Sequence, residues 1–283
     1  MFIIIGSVVV LGSLVTGFSM AGGSIGALIQ ISEFITIGGA ATGALLIMAP
    51  MPVLKKIISA ITGALGAKHI EKEEYMQLLK ALYDIFLVAQ RDGLLAIEKH
   101  IENPAESEVL NQSEAFIKNE IALAFFSDTL KVMLSGGVPP HEIEALMDTE
   151  IETYEAENKP IAELLTKLGD SFPGLGIVAA VLGIIVTMAS INEGAEVVGH
   201  HVAAALVGTF LGVLLAYGFV GPLATNIEHN VEMQVRFMET IKTAVVAYAK
   251  GNPPIVAVEI ARRTLFRDVR PTFTELESFL RGK

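Results

Sequence analysis

Two stretches of this chain could line a path for ions through hydrocarbon, and both are nearly bare of reactive groups. Between Phe172 and Ile191 the only polar side chains are Thr187 and Ser190, and between Val202 and Pro222 they are Thr209 and Tyr217. Hydroxyls relay or orient a proton but hold no charge near neutral pH. Ion movement through a bilayer normally needs an ionisable group at depth. If the chain conducts ions, the titrating carboxylate must therefore come from another chain, so the residues present imply a partner. Thr209 has a second reading, because a Thr in a membrane helix often bonds back to its own helix carbonyl. Pro173 and Pro222 each stand near one end of their stretch; each either marks a helix bend or frees a carbonyl and makes a hinge.

Other chemistry is absent from the pattern. No Gly-rich phosphate loop leads into Lys-Ser/Thr, and no His-Glu-x-x-His zinc pattern occurs. Zero cysteines exclude thiolate metal sites, disulfides, iron–sulfur clusters and a cysteine nucleophile. Glu142, Glu144, Asp148, Glu150, Glu152, Glu155 and Glu157 form a dense acidic run, but a calcium loop needs its ligands on a turn with a Gly. A solvated helix face accounts for them. His200 and His201 are expected at the outer end of a span. The expectation is no enzyme, catalytic residue, cofactor or metal site, and the net charge of −11 speaks against nucleic acid.

The elements that must position these residues follow from the distribution of charge. Of 283 residues 52% are apolar and 18% charged, with a mean hydropathy of +0.56. Residues 1–50 hold a single charge, Glu33, and residues 172–227 hold two, Glu193 and Glu196; residues 51–171 and 228–283 hold all the others. This alternation excludes an ordinary single-core soluble enzyme. Four apolar stretches are long enough to span as helices: 2–20, 34–54, 172–191 and 202–222. Short connections join them at 21–32 and 192–201. A secretory leader would need a basic start, and no Lys or Arg occurs before Lys55. All 20 Lys and Arg lie in the two charged zones. The long middle segment, the tail and both termini are therefore expected in the cytoplasm.

The charged zones read as helices. Tyr75, Leu78, Leu79, Leu82, Ile85, Phe86 and Ala89 make a one-sided apolar stripe. A looser stripe runs from Phe116 to Leu134 and is closed by Gly136–Gly137, and Pro139–Pro140 can open the next helix. Leu223, Ile227, Val231, Val235, Met238, Ile241 and Val245 extend the fourth span well beyond Pro222. The third span extends upstream in the same way through Ile161, Leu164, Leu165 and Leu168. No stretch alternates long enough for a sheet. The fold class is an all-α integral membrane protein with four transmembrane helices and a helical cytoplasmic domain. Its segments are a first helix pair (1–54), a cytoplasmic region (55–171), a second pair (172–227) and a cytoplasmic extension and tail (228–283).

Several motifs carry a resemblance. The run Ala205-Leu206-Val207-Gly208-Thr209-Phe210-Leu211-Gly212-Val213-Leu214 with Pro222 resembles the signature of the MotA flagellar stator family, within the MotA/TolQ/ExbB proton channels. So does the run from Asp170 through Pro173 and Ala180 to Gly183. Ile101-Glu102-Asn103-Pro104, Glu142 to Asp148, Pro253 to Glu259 and Arg270-Pro271-Thr272-Phe273 are similar as well.

The resemblance covers essentially the whole chain. It implies a multi-pass inner-membrane protein, a ring of five copies around two copies of a single-span MotB-like partner that supplies the aspartate, and a push on the rotor protein FliG. It further implies an ion route at Thr209, Ala180 and Tyr217, coupling prolines at Pro173 and Pro222, and rotor contact through Arg91 and Glu98. Alanine at position 180 resembles the proton-driven type, since a methyl offers no oxygen to sodium. Arg91 and Glu98 stand one residue closer than in the family pattern; seven apart, they would share nearly one face of a continuous helix. The alternative is a TolQ/ExbB-like energiser of outer-membrane processes, and a passive helical scaffold or solute carrier is a third reading.

Overall fold

The computed structural model describes residues 2–66 and 70–282, the side chain of Ala105 excepted. Twelve α-helices order the described residues, and no strand occurs among them. Two compact units form. The first comprises 1–68 and 158–230, the second 69–157 and 231–283.

Among the described residues four helices are long and apolar enough to cross a membrane, and the first unit holds the first two whole and the apolar parts of the other two. Helix α1 (Phe2–Met20) buries no residue, as befits a helix whose solvent is lipid. Helix α2 (Ile31–Met48) is shorter than the 34–54 run, because Ala49 before Pro50 is extended and ends it. A separate helix, α3 (Met51–Gly66), follows; it buries Ile57 and Ala64 and leaves Ile58 exposed. The expected second span thus merged the end of one helix with the start of another.

Helix α8 (Pro140–Ala189) is a single 50-residue helix with Pro160 and Pro173 inside it, as the upstream apolar stripe predicts. Helix α9 (Ala195–Leu214) starts earlier than expected and leaves a shorter outer connection. A π-helical turn, Leu215–Val220, joins it to α10 (Gly221–Ala249), so the bend expected at Pro222 is a local widening of the helix.

The second unit is built around α4 (Lys72–Asp92), α7 (Glu120–Ser135) and the parts of α8 and α10 that belong to it. Tyr75, Leu78, Leu79, Leu82, Ile85, Phe86 and Ala89 are all buried, as their stripe requires. Phe86 stacks on Tyr248 with ring centroids 4.5 Å apart, and Tyr75 packs on Phe237. The stripe from Phe116 to Leu134 breaks in two: α6 (Glu114–Lys118) ends at Asn119, whose side chain caps α7 by accepting from the Ala122 amide. Asn119 also exchanges two side-chain hydrogen bonds with Gln234.

The tail motifs are structural. Helix α11 (Pro254–Arg262) ends in a buried guanidinium that donates to both Glu259 oxygens and to the Pro271 carbonyl at 2.7 Å. Those hydrogen bonds hold the Glu259 carboxyl below its ordinary range. Thr272 and Glu275 then form a reciprocal capping box that starts α12 (Phe273–Leu280).

Candidate functional site

The site grows from a close crossing of α8 and α9 in the first unit. A Cβ on Gly176 would stand 2.8 Å from the Gly208 carbonyl oxygen, and one on Gly212 would stand 2.5 Å from that of Phe172. A Cβ on Gly183 would meet that of Ala205 at 2.7 Å. Only glycine lets the two backbones touch in this way. The crossing sets Ala180 beside Gly208 and Thr209 beside Gly176: the missing Cβ of Gly208 lies 3.2 Å from the Ala180 nitrogen, and that of Gly176 lies 3.3 Å from the Thr209 Cα. Thr187 bonds back to the Gly183 carbonyl at 2.8 Å. Among the described residues Thr209 makes no such bond, which leaves its hydroxyl free to orient a passing group.

The remaining sequence candidates lie elsewhere. Pro173 is half-buried in α8, one residue beyond the Phe172 carbonyl that faces Gly212. Pro222 is exposed at the start of α10, and Tyr217 is 69% exposed within the π-turn, away from the crossing. Arg91 and Glu98 belong to the second unit. They do not share a helix: Gly93, at φ 91°, ends α4, and a 3-10 turn (Leu94–Ile97) leads into the short α5 (Glu98–Glu102). The expectation of one helical face is therefore wrong, because a glycine in the left-handed region reverses the chain between them. Both remain exposed; the Arg91 side chain, 78% accessible, pairs with its neighbour Asp92, whose carboxylate raises the guanidinium further.

One residue escaped the sequence argument. Glu33 stands in the first turn of α2 and is only 6% exposed, and its Oε2 has no hydrogen-bond partner. That oxygen lies 2.6 Å from where a Gly208 Cβ would be. The conclusion that any titrating carboxylate must be borrowed holds for the apolar runs of α8 and α9 but not for the crossing they form. The signal was present: Glu33, Ile37 and Ala41 recur at four-residue steps and are the buried residues of α2.

An all-helical unit with four membrane-length helices, two of them crossing on glycines beside Thr209, defines a multi-pass membrane protein, and a second helical unit carries exposed charges. Comparison with known proteins makes this specific. The "Motility protein A N-terminal" family model matches residues 4–93, and that of the "MotA/TolQ/ExbB proton channel family" matches 117–240. Motility protein A of Salmonella typhimurium is 40% identical over the whole of this chain and 96% of its own length, and that of Escherichia coli is 39% identical over the same shares. Chemotaxis protein LafT of Vibrio parahaemolyticus is 34% identical over 93% of each. The fold matches a chain of the C. jejuni MotAB structure with a TM-score of 0.79 at 22% identity, covering 94% of this chain and 96% of that one. The MotAB stator complex of Bacillus subtilis matches with a TM-score of 0.73 at 24% identity, covering 93% and 94%. The chain belongs to the motility protein A family and is a proton-channel stator subunit of the flagellar motor.

Proposed function

We propose that this subunit, with α8 and α9 lining the ion route, passes protons and converts their passage into torque. Thr209, Ala180 and Tyr217 are the ion route, and Pro173 and Pro222 couple ion binding to helix movement. The aspartate that α8 and α9 lack comes from a single-span MotB-like partner. Five copies enclose two copies of that partner, with both termini in the cytoplasm. Arg91 and Glu98, exposed in the second unit, engage the rotor protein FliG. On this reading residues 1–54 and 172–227 are membrane pairs, 55–171 is the rotor-contact region and 228–283 its extension.

The observation that carries the reading is the free Thr209 hydroxyl at the backbone-tight crossing of α8 and α9, to which Ala180 also belongs. A methyl at position 180 supplies no oxygen for sodium, whereas a proton needs one acceptor at a time. Swimming speed should therefore collapse under a protonophore and ignore external sodium. Dependence on sodium would overturn the ion assignment. Replacing Glu98 by Lys should weaken motility while the subunit still inserts and assembles, since only an exposed charge changes.

A further inference from the structure

We propose that Glu33 is a proton-binding carboxylate of the ion route, supplied by this chain itself and placed outward of the partner's aspartate. The inference rests on the proton-conducting reading above and extends it.

A buried carboxylate without a partner is costly in any protein and more so in a bilayer. Native structures seldom leave such a group orphaned without a role. Glu33 combines burial, a free Oε2 and a directed position: it sits on α2, against the one residue of α9 that must lack a side chain to admit it. Gly208 is the neighbour of Thr209, and the space its Cβ would fill also borders the Ala179 Cβ and the Ala180 nitrogen at 3.2 Å. Three helices therefore meet where the carboxylate ends.

The depth is informative too. Gly208 lies six residues inside the charge-free run that begins at Val202, about 9 Å along a helix that rises 1.5 Å per residue. Glu33 is thus carried below the membrane surface, although its own helix starts only two residues earlier, at Ile31. A surface acid would sit at the helix end facing water. This one is folded inward in register with Ile37 and Ala41.

The step is a simple proton exchange. A proton arriving from outside binds Oε2 and converts the carboxylate to a neutral acid. The acid then releases the same proton inward, by way of the Thr209 hydroxyl, which takes one proton while passing its own, and returns to the carboxylate. The site has no net consumption and needs no other reactant.

The test uses the complete complex of this chain with its single-span partner, reconstituted in liposomes and driven by a pH gradient. Glu33→Gln, which keeps shape and hydrogen-bonding capacity but cannot ionise, should cut proton flux on the order of 100-fold. Its assembly, read by size-exclusion chromatography, should stay unchanged. Glu33→Asp should retain flux but move its pH midpoint. Wild-type flux in Glu33→Gln, loss of assembly in that variant, or an unshifted midpoint in Glu33→Asp would each overturn the assignment. A wild-type complex that passes no protons at all would instead overturn the conducting function, and this inference with it.

Discussion

The backbone N–H of Gly221 donates to the carbonyl of Ala216, five residues back rather than four, in the turn immediately before Pro222. Proline has no N–H to offer the carbonyl four residues upstream, and its ring crowds that carbonyl. The π-turn Leu215–Val220 widens the helix at this point. Pro173 repeats part of the arrangement: four residues before each proline stands a glycine, Gly169 or Gly218. A helix so relaxed at one turn can flex there while remaining continuous on both sides.

Replacing Pro222 by Ala should close that turn. The new N–H restores a bond to the Gly218 carbonyl and favours regular helix by up to about 3 kcal/mol. The variant should melt higher than the parent yet lose most of its swimming speed, with insertion and assembly retained. Normal swimming on a stabilised subunit would show that the turn is not the coupling joint.

Gly212→Ala tests the crossing itself. Its methyl would meet the Phe172 carbonyl oxygen at 2.5 Å and the Gly176 Cα at 2.9 Å, and both are backbone atoms that cannot rotate away. Overpacking of this kind costs about 1–3 kcal/mol. The detergent-solubilised complex should lose thermal stability by that amount and conduct poorly, because α8 and α9 must part. Gly174→Ala, at an open and exposed position of α8, is the control and should behave as the parent. Equal melting of the two variants would contradict a close-packed crossing.

The long helices were legible because nothing interrupts their apolar stripes: α8 emerges from Ile143 through Leu168 into the third span, and α4 from seven residues that are all buried. The breaks were less legible. At Asn119 a side chain both caps α7 and pairs with Gln234, a residue distant in sequence, so local periodicity could not register it. The reversal at Gly93 was masked by the assumption that Arg91 and Glu98 continue one helix. Glu33 fell between the expected connection at 21–32 and the expected span at 34–54 and was given no role, since a single charge beside an apolar run by itself carries no signal of burial. Its burial depends on Gly208, some 175 residues later, and only the packed structure joins them. The close approach of α8 and α9 was not read from their glycines, because glycine spacing alone does not say which backbone a helix will face.

His100 offers a pH-dependent test of the second unit. Its ring is buried, and Nδ1 lies 2.8 Å from the Ser107 hydroxyl, which already accepts a hydrogen bond from the Leu110 amide. The neutral ring pairs there in either tautomer, the hydroxyl donating to an unprotonated Nδ1 or accepting from a protonated one. Burial pushes the imidazole below its ordinary value of 6.5, Lys99 lowers it further, and Glu108 opposes them. A folded-state value beneath the unfolded one means that the unfolded chain binds more protons between the two. Stability from this group is therefore complete above pH 6.5 and is lost as the pH falls toward the lower folded value. Thermal melting followed from neutral to acid pH should fall more steeply for the parent than for His100→Gln, which cannot titrate. Parallel curves would mean that the buried ring tolerates its charge.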